Sequence, residues 1–330
     1  MLTLKRYRED FSFRVKKFFD TLISEEKALF RDTIFLSFLG ARICYASTRP
    51  FELFSEKRFR DPAELKSFLL RLKSSGHTSV FAHSPLVVRR NFHPEEVSSL
   101  APVLFKAWWA PEGSLCLNLR HFAEIYDNKT FEELLSEAVL GEEWQDFRVF
   151  HLECPDGKPL LKREISLGEL VKETFPPYEG LFSTAEVYVI DVAPGRTVPF
   201  GWLAVVVEGF SRLFSHQFVR HTWLNFNQRS HRYTRVDQFV CPPSFDEESQ
   251  RIYETQIKSG LTAYEKICEQ GVKKEDARFV TPQGAATTIL ATGPYFVWED
   301  FVLKRKHLKA QWEIRALAQA LELVLSRLNP

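Results

Sequence analysis

At 330 residues, 45% hydrophobic and a net charge of +1, the chain can bury one large core or two ordinary ones, and it carries no global field to hold nucleic acid or a membrane surface. Its five cysteines are scattered, odd in number and free of any Cys-x-x-Cys, which argues for reduced thiols in a cytoplasm rather than a disulfide framework. No apolar run approaches the roughly 18 residues of a membrane span, and the opening MLTLKRYREDFSF lacks the apolar core of a signal peptide.

From the N-terminus, the first clear element is a helix expected over 61–73. Asp61 is placed to cap it, Pro62 stands at its first position, Glu64 would complete a capping box, and Gly76 follows its end. GHTSVFAH (76–83) and the strand-like SPLVV come next. Between about 90 and 200 the pattern changes. Short β-like runs (VLFKAWW, SLCLNLRHF, FRVFHLE, AEVYVIDV) alternate with the turns APEGS, CPDGKP and APGRT. This stretch reads as a small β-rich insert or as an extension of a sheet. The run 202–207 reads as a strand, and Ser211 is expected to cap a helix reaching His221. Leu213, Phe214 and Phe218 would form its apolar stripe, while Gln217, Arg220 and His221 share a face. A helical pattern follows over 246–269, broken near Gly271. A long helix is expected over 296–328, with Phe301, Leu308 and Trp312 at helical spacing. Arg305 lies within that stripe, where a charge is costly unless paired.

The densest chemistry lies in RHTWLNFNQRSHRY (220–233). Arginine forks match phosphate or carboxylate, and side-chain amides supply paired donors and acceptors of the kind that read a base edge. A planar, multiply charged ligand would use this set. A solvated basic loop, or a patch tracking nucleic-acid phosphates, would show the same composition. The histidines offer no helix-face zinc pair: His77 and His83 are six apart, His216 and His221 five.

RHTWLNFNQRSHRY is similar to the signature of the flavin-dependent thymidylate synthases, Arg-His-Arg-x-x-Ser-x-Asn-x-x-Ser-x-Arg, commonly followed by Tyr. Arg220, His221, Asn227, Ser230, Arg232 and Tyr233 fit it. GHTSVFAH, EGFSRLFSHQFVRH (208–221), EDARFVTP (275–282) and KRKHLKAQWEIRALA (304–318) resemble the family's other blocks, in the family's order. The resemblance implies an α/β (α+β) fold with a central sheet flanked by helices, a catalytic core over 1–89 and 200–330 with an insert at 90–199, a homotetramer with active sites between subunits, and reductive methylation of dUMP to dTMP. Methylenetetrahydrofolate would give the methylene, and FAD reduced by NADPH the hydride. It further implies dUMP contacts from Gln217, Arg220, Gln228, Ser230, Arg232, Arg278 and Arg305. Ser230 would lie near the reacting carbon, and Arg305 would favour the ionised uracil. FAD contacts would come from Ser79, Arg220, His221, Thr222 and Gln228, with His77 as a catalytic residue beside Ser230 and Arg305.

The flavin side departs most from the pattern. Thr222 lacks the expected guanidinium, Val80 and Ala82 replace a Pro and a Glu, and Pro294-Tyr295-Phe296 stands where an Asn-x-Arg is usual. The insert holds an Asn-x-Arg of the missing type, Asn118-Leu119-Arg120. Asn118 and Arg120 are expected to supply flavin or folate contacts if the insert folds over the site; the plainer alternative is a β-edge with an exposed arginine. Two other functions remain open at this point. One is altered chemistry on a pyrimidine nucleotide, such as hydroxymethylation; the other is nucleotide or RNA binding without catalysis.

Overall fold

The computed structural model describes residues 2–25, 29–88, 92–101, 103–109, 113–138, 140–192, 201–234 and 236–328. Helices and strands are mixed throughout. The strands are β1 (Pro85–Val88), β2 (Trp108–Trp109), β3 (Leu115–Asn118), β4 (Arg148–Glu153), β5 (Leu160–Ser166), β6 (Glu186–Asp191), β7 (Trp202–Ser211), β8 (Asn225–Gln228) and β9 (Ala286–Pro294). A small antiparallel sheet has the order β1-β3-β2. The main sheet has six strands, also antiparallel, in the order β5-β4-β6-β7-β9-β8.

β7 organises the core. Every residue of WLAVVVEGFS is buried. Ala204 and Val206 join a phenylalanine-rich cluster built with the helix Ile34–Tyr45. Leu203, Val205 and Val207 join a second cluster, formed with the helices Arg212–Phe218, Tyr295–Arg305 and Trp312–Leu328. A strand covered on both faces needs a continuous apolar run, and each such Val or Leu contributes about 2 kcal/mol when fully buried. Among the described residues no helix is long and apolar enough to cross a membrane, and all five cysteines are free.

The way out of β7 positions the site. At Gly209 the register against β9 shifts, and the backbone takes φ +76°. A Cβ there would lie 2.2 Å from the Thr184 carbonyl oxygen, so this bulge requires glycine. Ser211 follows. Its hydroxyl accepts from the Phe214 amide and starts the helix Arg212–Phe218. Glu313 holds Ser211 in turn, taking its amide at 2.7 Å and its hydroxyl at 2.5 Å.

Several sequence expectations change. The first helix is Pro62–Ser74 with Asp61 as its cap, but Glu64 pairs with Lys57 instead of closing a capping box. The helix capped by Ser211 ends at Phe218, short of His221; Leu213 is exposed, leaving Phe214 and Phe218 as the buried stripe. The long C-terminal helix is two helices, Tyr295–Arg305 and Trp312–Leu328. Gln311 explains the break: its side-chain oxygen accepts from the Glu313 and Ile314 amides and begins a new helix. Leu308, expected in the stripe, is 87% exposed in the connection. Within 90–200, VLFKAWW contributes only β2, and the second half of SLCLNLRHF is the helix Leu119–Ile125. β4, β5 and β6 are three of the six strands of the main sheet, so the latter half of this stretch extends that sheet. The turns APEGS and APGRT, and both ends of the expected insert, fall wholly or partly outside the described residues. The helix expected over 246–269 is found as Glu247–Glu269, capped by Asp246.

Candidate functional site

The donor-rich segment changes setting along its length. Its middle is the edge strand β8 paired to β9. Alternate β8 residues turn inward. Asn225 Nδ2 donates to the Ala82 carbonyl at 3.0 Å. His83, fully buried, meets Asn227 Oδ1 at 2.7 Å through Nε2 and Thr292 Oγ1 at 3.0 Å through Nδ1. Asn227 Nδ2 donates to Cys44 Sγ at 3.0 Å. One polar network thus ties GHTSVFAH, the helix Ile34–Tyr45, β8 and β9 together. Burial pushes His83 down to about 4, so the ring is neutral.

Beyond β8, a pocket of about 280 Å³ is lined by Arg212, His216, His231, Arg278, Thr281 and Gln283. Burial, with Arg212 acting in the same direction, pushes His231 down to about 4. Burial and the neighbouring Arg278 lower Arg212. Cations that face one another across a cavity favour an anion between them. Arg278 Nε donates to the Glu275 carbonyl at 3.1 Å, and the Glu275 carboxylate takes Arg232 at 2.6 Å. The Ser230 hydroxyl accepts from the Arg232 amide at 3.3 Å, and the Ser230 amide donates to the Cys44 carbonyl at 3.0 Å. Ser230, Arg232 and Arg278 are therefore brought together, with Glu275 as the link.

Arg305 belongs to a second group. Its Nε donates to His221 Nε2 at 2.8 Å, and the His221 ring packs on Phe301 with centroids 4.7 Å apart. Burial, then Arg305, pushes His221 down to about 4, leaving a neutral acceptor. The charge in the apolar stripe thus has its partner. His77 is exposed, its ring 6.0 Å from Tyr45, which lies 5.1 Å from Tyr233. Ser79, Arg220 and Thr222 are exposed, and Gln217 is half-buried. Gln228 Nε2 donates to Thr287 Oγ1 at 3.2 Å. Asn118 is 2% exposed and caps the helix Leu119–Ile125, accepting from the Arg120 amide. Arg120 Nε donates to Glu124 at 2.6 Å. Asn118 is thereby spent on the fold.

Sequence reasoning missed Arg212, His231 and Lys106. Arg212 follows a helix cap, and His231 falls at an unspecified position of the signature, so neither carried a signal. Lys106 donates through Nζ to the Leu224 carbonyl. Burial, helped by Arg120, pushes its ammonium down to about 8. His151 sits with Glu153 and Glu186 in an arrangement of metal-ligand type. Cations already answer those carboxylates: Arg49 pairs with Glu186, and Lys162 with Glu153.

Residues 196–330 match a family model described as thymidylate synthase complementing protein. A flavin-dependent thymidylate synthase from Sulfurisphaera tokodaii is 35% identical over 128 residues, covering 38% of this chain and 50% of that protein. Over this C-terminal stretch the chain is similar to the flavin-dependent thymidylate synthases. A second relative of that name, from Geobacter sulfurreducens, is 41% identical over 118 residues, 34% of this chain and 51% of that protein. The chain spans about half the length of the curated relatives it matches. Among solved structures, the UMP/dUMP methylase PolB from Streptomyces cacaoi, bound with 5-Br dUMP, aligns at 19% identity with a TM-score of 0.35, covering 39% of this chain and 69% of that one. The family match takes in β7, β8, β9 and the pocket residues; GHTSVFAH and β1 to β6 lie outside it.

Proposed function

We propose that the chain is a flavin-dependent thymidylate synthase that converts dUMP to dTMP, with methylenetetrahydrofolate as carbon donor and FAD reduced by NADPH as hydride source. The pocket of Arg212, His231 and Arg278, linked through Glu275 to Arg232 and Ser230, carries this reading. A nucleotide monophosphate brings a dianion to which arginine forks donate well. Gln217, Arg220, Gln228, Ser230, Arg232 and Arg278 are the proposed nucleotide contacts, with Ser230 nearest the reacting carbon. Arg305, steadied by neutral His221, is the cation proposed for the uracil. A fixed positive charge there stabilises negative charge as it develops on the ring.

FAD suits the remaining donors. Ser79, Thr222 and Arg220 are exposed and offer two hydroxyls and a guanidinium, a set that matches a diphosphate, with His221 beside them. Bound flavin supplies the hydride, and His77 is the proposed residue at its ring. We read 1–89 and 200–330 as the catalytic core. The stretch 90–199 is an insertion whose β4, β5 and β6 are built into the core sheet. A cytoplasmic homotetramer with shared sites belongs to the same proposal.

Arg278→Ala tests the nucleotide side. Losing a charge-assisted hydrogen bond costs about 1.5–3 kcal/mol, so dUMP should bind roughly 10- to 100-fold more weakly by calorimetry, with the far-UV spectrum unchanged. Unaltered dUMP affinity contradicts the assignment.

A further inference from the structure

A second surface adjoins the signature, and the nucleotide pocket does not use it. Trp108 packs on Trp223 with ring centroids 5.5 Å apart and on Phe296 at 5.0 Å. Trp223 is 56% exposed and Phe296 40%, so this aromatic wall faces outward. Lys106 lies at its edge with φ 56°, a left-handed conformation that lysine rarely adopts. Such strain persists only where the surroundings impose it, and it concentrates at functional sites. The Lys106 ammonium reaches the signature at the Leu224 carbonyl, and its charge is felt at His83. Among the described residues the charged group acting on Lys106 is Arg120, another cation. A cation beside exposed aromatic faces fits a flat ligand that carries its own anion. Lys106 and Trp108 lie outside the stretch that matches the family model, while Trp223 and Phe296 lie within it, so the surface joins the two parts of the chain.

We propose that Trp108, Trp223 and Phe296, with Lys106 at their edge, form a stacking site for a planar heteroaromatic ring with an anionic tail. The proposal rests on the reading of the chain as an enzyme that handles FAD and a folate. Each has that chemistry, through diphosphate in one and glutamyl carboxylates in the other. The aromatic faces would take the ring, and the Lys106 ammonium would meet the tail as a point charge.

The test titrates the full chain with FAD and, separately, with folic acid, following fluorescence quenching in the wild type, Trp108→Leu, Trp108→Phe and Lys106→Gln. A dUMP titration reports folding, and light scattering reports oligomeric state. Trp108→Leu should weaken one of the two ligands roughly tenfold, and Trp108→Phe should recover most of that loss. Lys106→Gln should weaken the same ligand several-fold and flatten its salt dependence. The ligand affected identifies the ring. If Trp108→Leu fails to fold, Lys106→Gln carries the test alone. Equal affinity in the wild type and the folded variants, or a change confined to oligomeric state, overturns the stacking site and leaves the enzyme reading intact. A wild type that takes up neither ring overturns both.

Discussion

At the scale of single residues, buried histidines govern the response to acid. His83, His221 and His231 are each pushed from 6.5 to about 4 in the folded chain. The unfolded chain therefore takes up these protons first as pH falls. The stability they contribute is whole above 6.5 and drains away as pH drops towards 4. For fully buried His83 alone the loss is about 2 kcal/mol at pH 5. The urea midpoint should fall steeply between pH 6.5 and 4, and His83→Gln should flatten that fall while lowering the midpoint at pH 7. A wild-type midpoint that stays level across this window contradicts the assignment. Little of this was legible in the chain. His83 stood out as the end of GHTSVFAH, but nothing in its sequence neighbours shows that it meets Asn227, 144 residues away. Arg232 and Arg278 were legible because the blocks around them resemble the family's; Arg212 joins them only through the turn at Gly209 and Ser211.

At the scale of elements, that turn is the sensitive point. Gly209→Ala would drive a Cβ against the Thr184 carbonyl in a conformation that already disfavours side chains. The expected cost is roughly 2–4 kcal/mol by chemical denaturation, with weaker dUMP binding because Arg212 shifts. A loss under about 0.5 kcal/mol, within the range of neutral surface changes, sinks this account of the bulge. The elements that sequence predicted well carry their own local instructions, as with Asp61 before Pro62 and Asp246 before Glu247. Those it missed depend on partners. β8 is a polar strand, Asn225 to Gln228, that pairs because β9 offers it an edge. The C-terminal helix breaks because Gln311 caps the next one, a role glutamine seldom advertises.

At the scale of the whole molecule, the stretch 90–200 is where sequence and structure part most. Its strands were recognisable one by one, but β4 to β6 join the main sheet through register with β7, which no local pattern encodes. The same stretch brings Lys106 and Trp108 to the signature, at the Leu224 carbonyl and the Trp223 ring. The central claim is that one chain unites a nucleotide pocket with a flavin site. The visible absorption spectrum of the purified protein, recorded with FAD before and after adding dUMP, tests it most directly. The account predicts a bound flavin band that dUMP perturbs in the wild type and leaves unmoved in Arg278→Ala. A protein that takes up no FAD, or a flavin band indifferent to dUMP in the wild type, contradicts it.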